Sequence, residues 1–135
     1  VRGHADGILA LWRGEGCSPV PLPSLWECKT LGAKGWKKSQ KDKVRVAHPK
    51  YYGQMQLYMG ELGLERGLFT AINADTMELY HEVVEYDAGE HAALVARAGR
   101  ILLAMDHGEI VPRGFADSTR WECRYCDYAE RCWNA

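Results

Sequence analysis

Two short runs of mostly apolar residues near the start of the chain predict two neighbouring strands. Residues 3–12 (GHADGILALW) are mostly apolar after Gly7, and residues 24–30 (SLWECKT) form the second run. Both have strand length, and residues 13–23 between them are broken by glycine and proline, which is typical of a loop. Because this connection is roughly ten residues long, an antiparallel pairing of the two strands is the economical arrangement.

The spacing of the apolar positions becomes helical near residue 50. Four of them repeat on one helical face: Tyr51, Met55, Tyr58 and Leu62. This pattern predicts a helix over residues 50–62, with Pro49 at its first turn and Gly63 at its end. We assign Tyr51, Met55 and Leu62 to the core rather than to a binding site.

Two more strands and a second helix complete the pattern. Residues 68–73 (LFTAIN) and 78–86 (ELYHEVVEY) predict strands joined by a polar turn at residues 74–76, as in a hairpin. Asp87 begins a capping-box pattern (DAGE) and a helix that runs to Asp106. The predicted buried side of this helix consists of Leu94, Ala98, Ile101, Leu102 and Met105. The order β-β-α-β-β-α predicts an α/β fold with a central mixed sheet flanked by helices.

Composition limits the class of protein. The chain has 135 residues, of which 47% are hydrophobic and 26% charged, and this matches a single soluble globular domain over residues 1–135. No apolar run is long enough to span a bilayer and no signal peptide is visible, so we expect no membrane partner. The chain begins with Val1 rather than Met. We therefore expect a fragment or processed piece, with functional parts upstream.

The charge is uneven although its net value is only −1. Residues 31–50 hold seven of the 17 Lys and Arg residues but one of the 18 acids, which leaves 10 and 17 elsewhere. A basic segment on an acidic body indicates a localised anion-binding surface, and a nucleic-acid backbone is the expected anion. An aromatic ring among the cations suits stacking on a base. The candidate binding residues are Lys34, Trp36, Lys37, Lys38, Lys41 and Lys43. The alternative is a solvated charged loop.

Asp6 and Glu27 are the candidate acidic active-site residues. In a strand, residues i and i+2 point to the same face, so Glu27 and Lys29 project together while Cys28 projects away. If the first two strands are neighbours, Asp6 joins Glu27 across the sheet. Two such carboxylates repel unless a cation lies between them, and oxygen ligands suit Mg²⁺ or Mn²⁺. The Lys29 side chain could orient a water or stabilise charge on a phosphate. The alternative is an ordinary surface ion pair.

The predicted middle helix and the end of the chain add further candidates. Gln54 and Tyr58 share a helix face and could bind a substrate phosphate or hold Lys29. Residues 121–133 form a Cys-rich tail whose C-x2-C-x5-C spacing brings thiolates around one metal or cluster. Its cysteines are Cys123, Cys126 and Cys132. The chain has five Cys, and an odd number without a secretory signal favours a reducing cytoplasm over a disulfide framework.

These motifs in this order resemble the PD-(D/E)XK nucleases, specifically the RecB-like and phage-type exonucleases. The matching elements are Gly3-x-x-Asp6, Glu27-x-Lys29 and Gln54-x-x-x-Tyr58. Residues 48–59 (HPKYYGQMQLYM) are similar to the P-x-Y-x-x-Q-x-Q-x-Y-M stretch of phage exonuclease-like proteins. The cysteine triplet resembles the tail of the RecB-like branch, which includes CRISPR-associated exonucleases and AddB-type helicase-nucleases. The resemblance runs from Gly3 to Cys132 and implies a restriction-endonuclease-like core.

The resemblance implies a metal-dependent DNA exonuclease of recombination, repair or phage replication, in a bacterial cell or phage-infected host. Asp6, Glu27 and the main-chain carbonyl of Cys28 would bind Mg²⁺ or Mn²⁺, and Lys29 would position or activate the attacking water. Gln54 and Tyr58 would support the site and contact single- or double-stranded DNA. The family's upstream helix, which supplies a further Glu or His, is not in this sequence. A homo-oligomer, or a helicase or recombinase partner, is compatible with the resemblance.

The resemblance leaves alternatives open at the tail and for the whole chain. It implies that Cys123, Cys126 and Cys132 bind a [4Fe–4S] cluster with a fourth, upstream thiolate. The alternatives are Zn²⁺ with His107 or Cys17 as a local ligand, and free or oxidised thiols. For the whole chain, the alternatives are a non-catalytic nucleic-acid-binding module on a degenerate nuclease fold, and a structural metal module that docks a larger protein. The intact Asp6, Glu27 and Lys29 set favours catalysis.

Overall fold

The structure is a computed structural model that describes residues 3–10 and 23–134. Most of the predicted first loop, the end of the predicted first strand, and Cys17 lie outside the described residues. The chain divides into two compact units, Val1–Val95 and Ala96–Ala135. Within the described ranges, no helix is both long and apolar enough to cross a membrane.

The first unit is built on a mixed sheet, as the sequence predicts. Its strands within the described residues are β1 (Gly7–Leu9), β2 (Ser24–Leu31), β3 (Arg66–Asn73) and β4 (Leu79–Glu85), in the spatial order β1-β2-β3-β4. The predicted antiparallel pairing of the first two strands is confirmed, and so is the hairpin of the last two. The central strands β2 and β3 are parallel. Parallel neighbours need a crossover connection, which here is helical.

Five helices complete the regular secondary structure of the described residues. They are α1 (Ala33–Ala47), α2 (Pro49–Leu62), α3 (Ala88–Asp106), α4 (Trp121–Arg124) and α5 (Ala129–Asn134). The predicted bounds of α2 are confirmed almost to the residue, and Gly63 ends it in the left-handed conformation that glycine allows. The assignment of Leu62 to the core is wrong, because this side chain at the last turn of α2 is 47% exposed. Helices α1 and α2 form the crossover between β2 and β3, where α1 packs mainly over β3 and β4 and α2 over β2 and β3.

The Lys-rich segment is a helix, and its interpretation as a loop is wrong. Apolar residues are sparse there, so the pattern on the buried face is weak. That face consists of Trp36, Ser39, Val44 and Ala47. The helix is interrupted at Lys43, whose φ of 62° lies in the left-handed region. The N–H of Val44, freed by the interruption, donates to Glu82 Oε2 on β4 at 2.9 Å. A contact from a distant strand therefore supports the kink.

One face of the sheet carries the core of the first unit. Leu25, Phe69 and the α2 residue Met55 are fully buried there. A β-carbon at Gly67 would lie 2.7 Å from the Met55 side chain, so the absence of a side chain on β3 lets α2 approach closely. The alternation along β2 also places Glu27 on this helix-covered face, between Leu25 and Lys29. The core and the candidate site therefore share one layer.

Two polar side chains fasten the start of α3 to the first unit. Asp87 Oδ1 accepts the Glu90 N–H at 3.0 Å, which confirms the predicted N-terminal cap. The Asp87 N–H donates to Gln56 Oε1 at 2.7 Å rather than to Glu90. Gln56 Nε2 donates to the Glu85 carbonyl at 2.9 Å, and Gln56 is fully buried. Gln56 is therefore a structural residue that joins α2 to the end of β4.

The second unit contains the last part of α3 and the Cys-rich tail. Ala104 is the buried residue of α3. Ile101, Leu102 and Met105 are exposed, at 37%, 49% and 69%, so the predicted buried side of this helix is wrong for these residues. Local periodicity marks an apolar stripe, but burial depends on what packs against it.

Candidate active site

The pairing of β1 with β2 brings Asp6 to the middle of β2. In the antiparallel register Gly7, the first residue of β1, pairs with Trp26, so Asp6 directly before β1 lies beside Glu27. Asp6 Oδ2 accepts the Cys28 N–H at 2.8 Å. This bond fixes the Asp6 carboxylate against the β2 backbone at Cys28, whose carbonyl was predicted as a further metal ligand. The two predicted acidic residues are therefore neighbours, as the strand order requires.

The Lys29 ammonium lies between the two carboxylates. It forms an ion pair with Glu27 Oε1, and its Nζ lies 3.6 Å from Asp6 Oδ2. The Lys29 side chain is 23% exposed, Asp6 36% and Glu27 0%. An ordinary surface ion pair would be solvated at both partners, so that alternative does not describe Glu27.

Burial dominates the electrostatics of Glu27. It raises the pKa of the Glu27 carboxyl above its usual 4.5, and the nearby Lys29 charge only partly offsets this effect. Burial lowers the pKa of Lys29, but Glu27 and then Asp6 outweigh it, so the net pKa of Lys29 is raised. Lys29 is therefore protonated at neutral pH in this arrangement.

The site contains an orphaned buried acceptor. Glu27 Oε1 contacts the Lys29 ammonium, whereas Glu27 Oε2 is buried and has no hydrogen-bond partner within the described residues. Buried polar groups usually have a hydrogen-bond partner, so a buried carboxylate oxygen without one points to an ion or ligand that binds there. Two adjacent carboxylates match the oxygen preference of Mg²⁺ and Mn²⁺, and Mg²⁺ is commonly held by one or two carboxylates plus water and substrate oxygens. The residues present therefore fit a divalent cation.

The described residues do not supply a full metal shell. Among them, no group of three or more His, Cys, Asp or Glu side chains is arranged to hold a metal ion. This applies both to the carboxylate pair and to the cysteine tail. Water and substrate oxygens would have to complete the coordination at Asp6 and Glu27.

Helix α2 brings Tyr58, one of its two predicted functional residues, against the segment that precedes Asp6. A β-carbon at Gly3 would lie 2.7 Å from the Tyr58 hydroxyl, so Tyr58 contacts the segment that leads into Asp6. Gln54 is half-buried one turn earlier on the same helix. Tyr58 also packs against the core, so it has a structural role in addition to any contact with substrate.

Sequence reasoning missed Tyr51 as a neighbour of the site. Lys29 Nζ lies 5.5 Å from the centre of the Tyr51 ring, which is a cation–π distance. The ring stacks on Phe69 at 6.3 Å and contacts His48 at 5.5 Å, so it is also core, as predicted. The signal was its position at i−3 and i−7 from Gln54 and Tyr58, which puts all three on one helical face.

Most of the predicted nucleic-acid-binding residues are exposed, but Trp36 is not. The lysines Lys34, Lys37, Lys38, Lys41 and Lys43 are all exposed on α1. Trp36 is 6% exposed and belongs to the core. Its ring is covered by packing, so the prediction that Trp36 stacks on a base is wrong. The alternation of lysines with one Trp reflects an amphipathic helix rather than a mixed binding surface.

The cysteines of the tail are free thiols in the second unit. Cys126 is exposed, and Cys123 and Cys132 are half-buried. A turn brings the Cys126 N–H to the Cys123 carbonyl at 3.2 Å. As noted above, they do not form a metal-binding group with other described residues, so the cluster or zinc site stays a prediction.

Comparison with known proteins adds a weak structural likeness. No family model matches the chain, and no curated protein matches it. A search of solved structures finds the crystal structure of SSO0001, at 21% identity and a TM-score of 0.46. The match covers 80% of this chain and 43% of SSO0001, so the chain spans less than half of that protein's length.

Proposed function

We propose that this chain is a metal-dependent deoxyribonuclease of the PD-(D/E)XK type that acts as an exonuclease. The observation that carries the proposal is the cluster of Asp6, Glu27 and Lys29, in which the fully buried Glu27 carboxylate keeps an oxygen without a hydrogen-bond partner among the described residues. The mixed sheet with a helical crossover after the Glu27-x-Lys29 strand is compatible with a restriction-endonuclease-like core. A binding-only module would have no use for a costly buried charge at this position.

The chain's own residues divide the work at the scissile phosphate. Asp6 and Glu27 would bind the divalent cation, and the hydrogen bond from the Cys28 N–H orients Asp6. When bound, Mg²⁺ or Mn²⁺ supplies Lewis-acid stabilisation of the phosphoryl oxygens and of the leaving oxygen. Lys29 lies beside both carboxylates, where its ammonium would orient the attacking water and neutralise developing charge. Gln54 and Tyr58 steady the substrate on the α2 side.

The exposed lysines of α1 provide the proposed contact with the DNA backbone. Helix α1 packs mainly over β3 and β4, whereas the carboxylates lie on β1 and β2. The lysines would therefore hold DNA away from the scissile phosphate. Because of this separation, we expect the α1 lysines to contribute to DNA affinity and not to the hydrolysis step.

The reaction class is tested with end-labelled linear DNA, single- and double-stranded, incubated with Mg²⁺, Mn²⁺ or EDTA. We expect loss of the terminal label with either metal and none with EDTA, because the carboxylates are proposed to act only through a bound cation. A closed circular duplex is the matched control and should resist an exonuclease. DNA binding without any metal-dependent product would instead support the non-catalytic module.

The basic surface is tested by replacing Lys37, Lys38 and Lys41 with Gln. We expect weaker DNA binding and a flatter dependence of affinity on salt, since each lost phosphate contact changes the log–log slope by about 0.9 on duplex DNA. A single Lys37→Gln variant is compared with Arg100→Gln, which removes one exposed positive charge from α3 instead of α1 and should leave DNA affinity unchanged. An unchanged salt slope in the triple variant would show that DNA binds elsewhere.

A further inference from the structure

The ammonium of Lys29 occupies the position between Asp6 and Glu27 that a metal ion would need. It is ion-paired with Glu27 Oε1 and lies 3.6 Å from Asp6 Oδ2, so both acids share one monovalent charge. With three-quarters of the Lys29 side chain covered and Glu27 fully covered, water screens these charges poorly. In the metal-free protein, Lys29 thus acts as the counter-ion of the site.

One ammonium does not satisfy two carboxylates. The cluster keeps one uncompensated negative charge, and Glu27 Oε2 has no hydrogen-bond partner within the described residues. A divalent cation would balance both acids, but only if the Lys29 ammonium does not remain between them. Charges of the same sign a few ångströms apart in a poorly solvated site repel strongly.

The Tyr51 ring offers the Lys29 ammonium an alternative contact away from the carboxylates. The face of the Tyr51 ring lies 5.5 Å from Nζ and does not compete for a metal, because it has no anionic oxygen. The Tyr51 ring in turn contacts Phe69 and His48, whose ring centroids lie 6.3 Å and 5.5 Å away. Lys29 can therefore release the carboxylates and still remain beside the site.

We propose that Lys29 is a built-in competitor for the metal, so that the carboxylates take up Mg²⁺ or Mn²⁺ only as Lys29 leaves its ion pairs with Asp6 and Glu27. This inference rests on the proposed function, because it assumes that these two residues are the metal ligands. The inference adds a link between the position of Lys29 and the affinity of the site for the metal, and hydrolysis itself does not require this link. The residue that orients the water also sets how tightly the metal is held, and it lowers that affinity.

The test is metal affinity without DNA, measured by calorimetry at pH 8 with Mn²⁺ as the ligand. We expect Lys29→Met to bind Mn²⁺ about tenfold more tightly than the wild type, although its cleavage is lost. Glu27→Gln should bind Mn²⁺ much more weakly, since it removes a ligand. If Lys29→Met binds Mn²⁺ equally or more weakly, Lys29 is no competitor and the inference is overturned.

A second measurement on the wild-type protein does not depend on the stability of Lys29→Met. An amine-acylating reagent modifies Lys29 slowly while it is ion-paired, and peptide mass spectrometry follows the rate. We expect Mn²⁺ to speed modification of Lys29 severalfold and to leave that of Lys37 unchanged, because Lys37 is already exposed. If Mn²⁺ is shown to be bound and the rate of Lys29 acylation is unchanged, the inference is overturned while the proposed function stands. Wild-type protein that neither takes up Mn²⁺ nor cleaves DNA would overturn the proposed function, and this inference with it.

Discussion

Glu27→Gln and Lys29→Met are each expected to lower metal-dependent DNA cleavage by about a thousandfold. Gln keeps the shape of Glu27 but removes the charge that binds the cation. Met keeps the apolar length of Lys29 but removes the ammonium that orients water and neutralises developing charge. The measurement is the rate of product release from end-labelled DNA at saturating Mg²⁺, so that a change in metal affinity does not mask a change in chemistry.

The control for Glu27→Gln is Glu65→Gln, the same change at a side chain that is 88% exposed. It should cleave at the wild-type rate, because Glu65 lies on the surface outside the carboxylate cluster. Circular dichroism of every variant checks that the fold is kept. Wild-type cleavage by either Glu27→Gln or Lys29→Met would remove this cluster from the active site.

Lys29→Met is also expected to destabilise the protein by about 3 kcal/mol at pH 8, and by much less at pH 5. The loss arises because the buried Glu27 carboxylate is left without its counter-charge. The folded-state pKa of Glu27 is raised by burial, so folding favours the protonated form. Its contribution to stability is therefore fully present below the unfolded pKa of about 4.5 and declines as pH rises through the folded pKa.

Removing Lys29 raises the pH at which the folded protein loses the Glu27 proton. Without the ammonium, the folded pKa of Glu27 rises further, so ionising Glu27 costs more as pH increases. The difference in unfolding free energy between wild type and Lys29→Met should thus grow from pH 5 to pH 8, as measured by urea denaturation. The double variant Glu27→Gln with Lys29→Met should regain most of the loss, because no buried charge remains. A difference that does not change with pH would show that packing, not charge, causes the loss.

The elements with strong local signals were predictable. The helix over residues 50–62 has a clear apolar stripe bounded by proline and glycine, and α2 follows it closely. The hairpin of β3 and β4 follows from two strand-length runs around a polar turn. These signals suffice because each depends on neighbours in the sequence, whose spacing is fixed by the geometry of a helix or strand.

Helix α1 was not predictable to the same degree. Its buried residues Trp36 and Val44 are eight positions apart with polar residues between them, so no apolar stripe marks the helix. Its kink at Lys43 depends on Glu82, a residue 38 positions away from Val44. The interpretation of Trp36 as a base-stacking residue failed for the same reason, since the sheet that covers it is distant in sequence.

The candidate site also has features that the sequence predicted and features that only the structure shows. Strand alternation already placed Glu27 and Lys29 on one face, and the short connection already suggested that Asp6 would join them. The structure adds the complete burial of Glu27, the hydrogen bond between Asp6 and the Cys28 N–H, and the Tyr51 ring beside Lys29. None of these has a local signature, because each depends on which strand or helix packs against β2.

The sequence by itself determined the order of the motifs, the mixed α/β architecture and the residues that share a strand face. Only the tertiary structure decided that Lys29 lies between both carboxylates, that Glu27 is shielded from water, and that α1 is a helix with its lysines outside and its tryptophan inside. The physical reason is the distance along the chain over which each effect acts. Backbone periodicity acts over a few residues, whereas burial and the charge of a buried group are set by chain segments that meet only in the folded protein.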